Sequence, residues 1–176
     1  MPTLKFFSAV LLCASLHSFA QETSQQLQSD KYQLSYPSSW VSSDQKPSPS
    51  TEILLLADES SLANDKFREN INLNTDSIRS AEMSLDEYVN FGLEQIKSQI
   101  PTAEVISKKP IELNGIKATN LVWSADFGNG MTLQFRQIIF IRESTGYTLT
   151  YSSSDKEFSK YEAVADNILM SFKFKQ

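Results

Sequence analysis

The 176-residue chain carries 16 basic and 21 acidic residues, a formal charge of −5, with a single cysteine and a single histidine. One cysteine allows no internal disulfide. Because Cys13 and His17 both fall in the first twenty residues, the rest of the chain has no Cys–His or Ser–His–Asp machinery, no Cys- or His-built zinc site and no histidine acid–base chemistry.

Lys5, the apolar run from Phe6 to Leu16 and the small residues Ser18 and Ala20 have the layout of an export signal over residues 1–20, with the mature chain starting at Gln21. Cys13 supports a rival reading, a lipid-anchored protein cleaved just before that cysteine. Leu12, however, places a bulky side chain where the lipoprotein peptidase wants Gly, Ala or Ser. An apolar run of about 11 residues is too short for a hydrocarbon core of about 30 Å, and no later segment reaches transmembrane length. The expected location is periplasmic or secreted. Removing the signal moves the charge from −5 to −6, since Lys5 is its one charged residue. The longest basic run is Lys108-Lys109, so clustered cations for phosphate are lacking and no nucleic-acid partner is expected. About 156 residues remain, enough for one domain that buries roughly 70% of its unfolded surface.

Residues 21–30 are polar and rich in Gln and Ser, which predicts a flexible lead into a single domain over 31–176. Tyr32–Val41 reads as a strand region, and the two prolines and the serines of 42–50 as a loop. Glu52–Ala57 is an apolar run of strand length. Asn70–Asn74 alternates polar and apolar residues, the period of a strand buried on one face. Asp58–Arg68 between them reads as a polar connection with a helical turn.

Ser84 and Glu87 have capping-box spacing, and Leu85, Tyr88, Val89, Leu93, Ile96 and Ile100 follow at helical spacing until Pro101 ends the helix. A second helix is predicted with Ser154 and Glu157 as its box and a stripe from Phe158 to Phe172. Between the helices, Glu104–Ser153 reads as four strands joined by turns at Asn114-Gly115, Gly128-Asn129-Gly130 and Ser144-Thr145-Gly146, an antiparallel meander. Ile138 and Phe140 alternate with Ile139 and Ile141, so this strand is apolar on both sides and needs cover on both. The predicted fold is α/β (α+β), an α/β/α sandwich with a central antiparallel sheet and helices on both faces; a one-sided α+β arrangement is the alternative.

Tyr32-Gln33-Leu34-Ser35-Tyr36-Pro37-Ser38-Ser39-Trp40, Asn70-Ile71-Asn72-Leu73, Ser84-Leu85-Asp86-Glu87-Tyr88 and the closing Ile168-Leu169-Met170-Ser171-Phe172 resemble the Mog1/PsbP-like superfamily, whose bacterial branch includes DcrB-like envelope proteins. The resemblance runs over roughly residues 31 to 174. It implies an α/β/α sandwich and a binding or assembly role without enzymatic activity. Members of that superfamily bind unlike partners: a small GTPase, photosystem II, envelope components. The shared segments are structural, so no functional residue carries over.

Fragments that mimic catalytic motifs have structural readings. Ser153-Ser154-Asp155-Lys156 fits S-x-x-K but lacks a K-T-G and doubles as a helix cap; Asp126-Phe127-Gly128 enters a hairpin turn. Asp58, Glu59, Asp65 and Asp126 are the carboxylates available for a dyad or calcium, and nothing in their spacing pairs them. No catalytic residue, metal or cofactor is expected. The binding candidates are Trp40, which either borders a pocket or plugs the core, the stripe Asn70, Asn72 and Asn74, and Gln134 with Arg136 on a sheet face that a helix covers only in part. The expected function is an exported, non-enzymatic binding or assembly module of the cell envelope, a monomer or weak dimer with an envelope protein partner. The alternatives are a small-ligand carrier with a pocket between helix and sheet near Trp40 and a carboxylate-based hydrolase.

Overall fold

A computed structural model describes residues 23–78, 82–128 and 130–175, apart from the side chains of Asn64 and Asp65. The export signal over 1–20, with Cys13, His17 and the cleavage site after Ala20, and Asn129 of the second turn lie outside the described residues.

The chain forms β1 (Ser24–Gln28), β2 (Tyr32–Pro37), β3 (Trp40–Ser42), β4 (Thr51–Ala57), a 3-10 turn running into the short helix α1 (Leu62–Asp65), β5 (Asn70–Ser77) and α2 (Leu85–Gln99). There follow β6 (Glu104–Leu113), β7 (Ile116–Asp126), β8 (Thr132–Arg142), β9 (Thr145–Ser154), α3 (Phe158–Met170) and β10 (Lys173–Phe174). Seven strands make one antiparallel sheet in the order β3-β4-β5-β9-β8-β7-β6, and β1-β2-β10 make a smaller one. The expected meander is β6 to β9, and β5 extends it by pairing with β9.

Three expectations are corrected. The flexible lead contains β1, which pairs with β2 from Ser24 opposite Pro37 to Gln28 opposite Gln33. Its polar side chains hide the strand, but Leu27 packs on the core and β2 offers a free ladder edge. Tyr32–Val41 is two strands in two sheets, broken at Ser38-Ser39. The last helix opens at Phe158, because β9 runs on through Ser154, which pairs with Leu133. The Glu157 N–H still donates to Ser154 Oγ at 3.3 Å, so one half of the predicted box forms outside the helix.

Both faces of the large sheet are covered. Ile138 and Phe140 of β8 meet Leu149 and Tyr151 of β9 and Phe158, Ala165 and Leu169 of α3 in one apolar cluster. Ile139 faces the other way and packs with Leu121, Trp123 and Val89 under α2. Period-2 alternation thus sends neighbours on one strand to two separate cores. On the first side Phe140 stacks on Tyr147 at 5.1 Å between ring centres, and Phe172 and Phe174 close over them. The Asn114-Gly115 turn has both residues at positive φ, as its hairpin requires, and Asn114 Nδ2 donates to the carbonyls of Met170 and Phe172 at the end of α3.

α2 starts on the predicted capping box: the Glu87 N–H donates to Ser84 Oγ at 3.2 Å, and the Ser84 N–H donates back to Glu87 Oε2 at 2.8 Å. The β8–β9 turn sits at Glu143-Ser144, both at positive φ, one position earlier than expected. Gly146 is therefore a strand residue. Tyr88 of α2 lies against it so closely that a Cβ there would stand 2.3 Å from Tyr88 Cζ, so the glycine admits a ring against the sheet.

Ser84→Ala is expected to lose about 1 kcal/mol of stability in urea unfolding, the usual value of an N-cap. Gly146→Ala overpacks the contact with Tyr88 and is expected to cost about 1–3 kcal/mol in the same measurement. Burial, with Glu52 adding to it, pushes the Tyr32 phenol up to about 12, and burial also raises Tyr88, Tyr147 and Tyr151. Such phenols keep their protons longer folded than unfolded, so stability falls as pH rises past the ordinary tyrosine value of about 10. In an alkaline titration, tyrosinate absorbance from these residues is expected to rise together with the loss of far-UV circular dichroism, not ahead of it.

Candidate functional site

The six binding candidates do not converge. Trp40 is 2% exposed, stands opposite Ala57 and plugs the core on the α3 side. Asn70, Asn72 and Asn74 line the opposite face of the sheet, across from Ser152, Thr150 and Thr148. Their amides are largely engaged with their surroundings: Asn74 Nδ2 donates to Asn72 Oδ1 at 3.0 Å, Thr51 Oγ1 donates to Asn74 Oδ1 at 2.7 Å, and Asn70 Nδ2 donates to the Arg68 carbonyl at 3.1 Å. Gln134 and Arg136 share the α3 side. There α3 reaches over Arg136, whose guanidinium pairs with Asp166 and stands 3.8 Å from Glu162, so the part of the groove expected at Arg136 is taken up by an ion pair.

The catalytic look-alikes also sit in structural positions. Ser153 is fully buried and donates to Glu69 Oε1 at 3.1 Å. Asp126 Oδ1 accepts from the Gly128 N–H at 2.7 Å inside the hairpin turn, and Asp58 Oδ1 accepts from the Ser60 N–H at 2.9 Å as the cap of the 3-10 turn. That bond holds the Asp58 carboxyl below its ordinary pKa. Among the described residues no group of three or more acidic, Cys or His side chains is placed to hold a metal ion.

A cleft of about 620 Å³ lies between α2 and the sheet, on the face away from Trp40, and none of the six binding candidates lines it. Its floor is Leu121, Gln137, Ile139 and Thr148, contributed by β7, β8 and β9. Tyr88, Gly92 and Ile96 form its roof at i, i+4 and i+8 along α2, and Ile78 and Met83 add to its apolar wall. The size and the mainly apolar lining with few polar groups are those of a small-molecule site.

Asp76, Tyr88 and Thr148 bring their polar groups together at one end, while Gln95 lines the cleft beside Ile96. Tyr88 Oη donates to Asp76 Oδ2 at 2.9 Å, and the Thr148 hydroxyl lies within hydrogen-bonding reach of the same phenol. Burial, then Asp76, raises the Tyr88 pKa above the ordinary tyrosine value of about 10, so the phenol remains a donor well into the alkaline range. Gln137 is held in the floor from both sides: Trp123 Nε1 donates to Gln137 Oε1 at 3.0 Å and Gln137 Nε2 donates to Thr150 Oγ1 at 3.3 Å. Trp123 is fixed in turn by stacking on Phe135, with ring centres 4.1 Å apart.

Gly92 is the sequence signal for this cleft. It sits in mid-helix, where glycine is about 1 kcal/mol worse than alanine, and a Cβ built on it meets no atom within 4 Å. Neither a positive φ nor a tight contact calls for glycine here. What the missing side chain leaves is room under the helix.

The chain matches the profile of the PsbP-like protein family over residues 16–174. No curated protein matches it. Among solved structures it is similar to the cyanobacterial PsbP (CyanoP) of Synechocystis, at 16% identity over 93% of this chain and 99% of that one, with a TM-score of 0.63. It is also similar to LpqN, involved in cell envelope biogenesis of Mycobacterium tuberculosis, at 14% identity over 89% and 92% with a TM-score of 0.61. A Mog1 variant aligns at 9% identity over 86% and 95% with a TM-score of 0.60. Likeness at these identities concerns the fold alone. With a family match running through nearly the whole described structure, the chain belongs to the PsbP-like protein family.

Proposed function

We propose that this chain is an exported, non-enzymatic binding module of the cell envelope and that it holds a small ligand in the cleft between α2 and the sheet. The observation that carries this reading is the cleft itself, about 620 Å³ of mostly apolar space kept open at Gly92, with the polar groups of Asp76, Tyr88 and Thr148 together at one end. The envelope setting is supported by the signal-like layout of residues 1–20 and by the fold shared with LpqN, a protein of envelope biogenesis. No helix among the described residues is long and apolar enough to cross a membrane. The cleft lies on the other face of the sheet from Trp40, the residue beside which the sequence predicts a ligand pocket.

An assembly role with an envelope protein partner is the second reading. Val105, Ile106, Phe127 and Met131 are exposed at the same end of β6, β7 and β8, an apolar surface of the kind that protein contacts use.

Native mass spectrometry of the protein isolated from its own cells tests both readings. The expected result is a chain starting at Gln21 that carries a small noncovalent adduct, with the adduct lost from Gly92→Phe, whose ring fills the cleft. An adduct that survives this substitution places the ligand elsewhere and overturns the cleft reading. A bound protein subunit in place of a small adduct favours assembly, and a diacylglyceryl mass on Cys13 makes the protein lipid-anchored. Gly92→Ala is expected to stabilise the fold by up to about 1 kcal/mol in urea unfolding, because the helix gains propensity and the new methyl meets open space.

A further inference from the structure

Resting on the cleft reading above, the geometry points to the chemical class of the occupant: we infer that the cleft takes an amphiphile with an unbranched apolar body and a hydrogen-bond-donating head that is not anionic. The body follows from shape. From Tyr88 to Ile96 the roof runs about 12 Å along the helix axis, and Gly92 leaves its middle without a side chain. Beneath it lie Leu121 and Ile139 of the floor. A slim chain lying along the helix fits that space.

The head follows from charge and from hydrogen-bond bookkeeping. Asp76 is the one charged side chain among the described residues that line the cleft. Its carboxylate has about four acceptor positions, and the Tyr88 hydroxyl occupies one of them. The Tyr88 proton is already engaged there, and the Thr148 hydroxyl lies within hydrogen-bonding reach of the same phenol. This end therefore offers an incoming head mainly acceptor capacity beside a negative charge. A hydroxyl or ammonium head satisfies it; a carboxylate, sulfate or phosphate would bring like charge to Asp76 with no cation among the described lining residues to offset it. The remaining polar group of the floor, Gln137, is tied to Trp123 and Thr150 and so serves as a fixed wall.

Isothermal titration of the purified mature chain with monolaurin, dodecylamine and laurate, each below its micellar concentration at neutral pH, tests the inference. Monolaurin and dodecylamine are expected to bind, and laurate, with the same chain length but an anionic head, to bind at least about tenfold more weakly. Asp76→Asn keeps an acceptor for Tyr88 and removes the charge, so it is expected to bring dodecylamine and laurate to within about threefold of each other. Gly92→Phe is expected to abolish binding of all three while the urea midpoint stays at or above that of the parent. If laurate binds as tightly as the other two and Gly92→Phe still abolishes all binding, the head-group inference is overturned and the cleft reading stands. If none of the three binds, or binding survives Gly92→Phe, both fall.

Discussion

Ile138, Ile139 and Phe140 follow one another along β8, and in a strand consecutive side chains point to opposite sides of the sheet. All three are buried, so neither face of this strand can be left to water. One face is closed by α3 and the small sheet, whose β2 and β10 bring Tyr32, Leu34 and Phe174 onto the aromatic group around Phe140. The other is closed by α2 through Val89 and its neighbours. The layered arrangement follows from this requirement.

The two covers are unequal. On the first face the apolar cluster extends from Ile111 at one edge of the sheet to Trp40 at the other. On the second, α2 rests on β7 and β8, and the sheet beyond it is polar: Thr148, Thr150 and Ser152 of β9, then the asparagines of β5. Those asparagines bond to one another, to Thr51 and to the Arg68 carbonyl, so this part of the face can meet water without a helix over it. The cleft lies at the boundary, where the helix ends its contact with the apolar floor and the polar part begins. Its position is a product of the mismatch between a narrow helix and a broad sheet.

Two glycines adjust that boundary in opposite ways. At Gly146 the missing side chain lets the Tyr88 ring settle against the strand, which draws α2 down and carries the phenol to Asp76. At Gly92, one turn further along the helix, the missing side chain is filled by nothing. The same residue type therefore produces contact at one position and space at the next, and the polar end of the cleft is held rigid beside the open part. Trp123 and Gln137 add a half-buried hydrogen-bonded pair at the floor, which fixes the shape of that surface.

Much of this fold was legible in the residues alone. The Ser84–Glu87 box, the alternation of β5, the Asn114-Gly115 hairpin and the two-sided β8 are signals that arise within a few neighbouring positions, and each predicts its own local structure. Where long-range pairing decides, the sequence is silent: β1 is a strand because β2 lends it an edge, and Ser154 belongs to β9 because Leu133 stands opposite. The candidate site shows the same division. Asn70, Asn72, Asn74 and Arg136 were visible as polar stripes, but whether a stripe faces an open groove depends on what packs across it, and Arg136 met α3. Tyr88 and Gly92 share one face of α2, but Asp76 and Thr148 stand on β5 and β9, and no spacing along the chain relates the three elements. By itself the sequence determined the element types and the two-faced sheet, because those depend on local hydrogen bonding and on period. The cleft was decided only by tertiary structure, because an empty volume is made by the elements around it and is encoded by none of them separately.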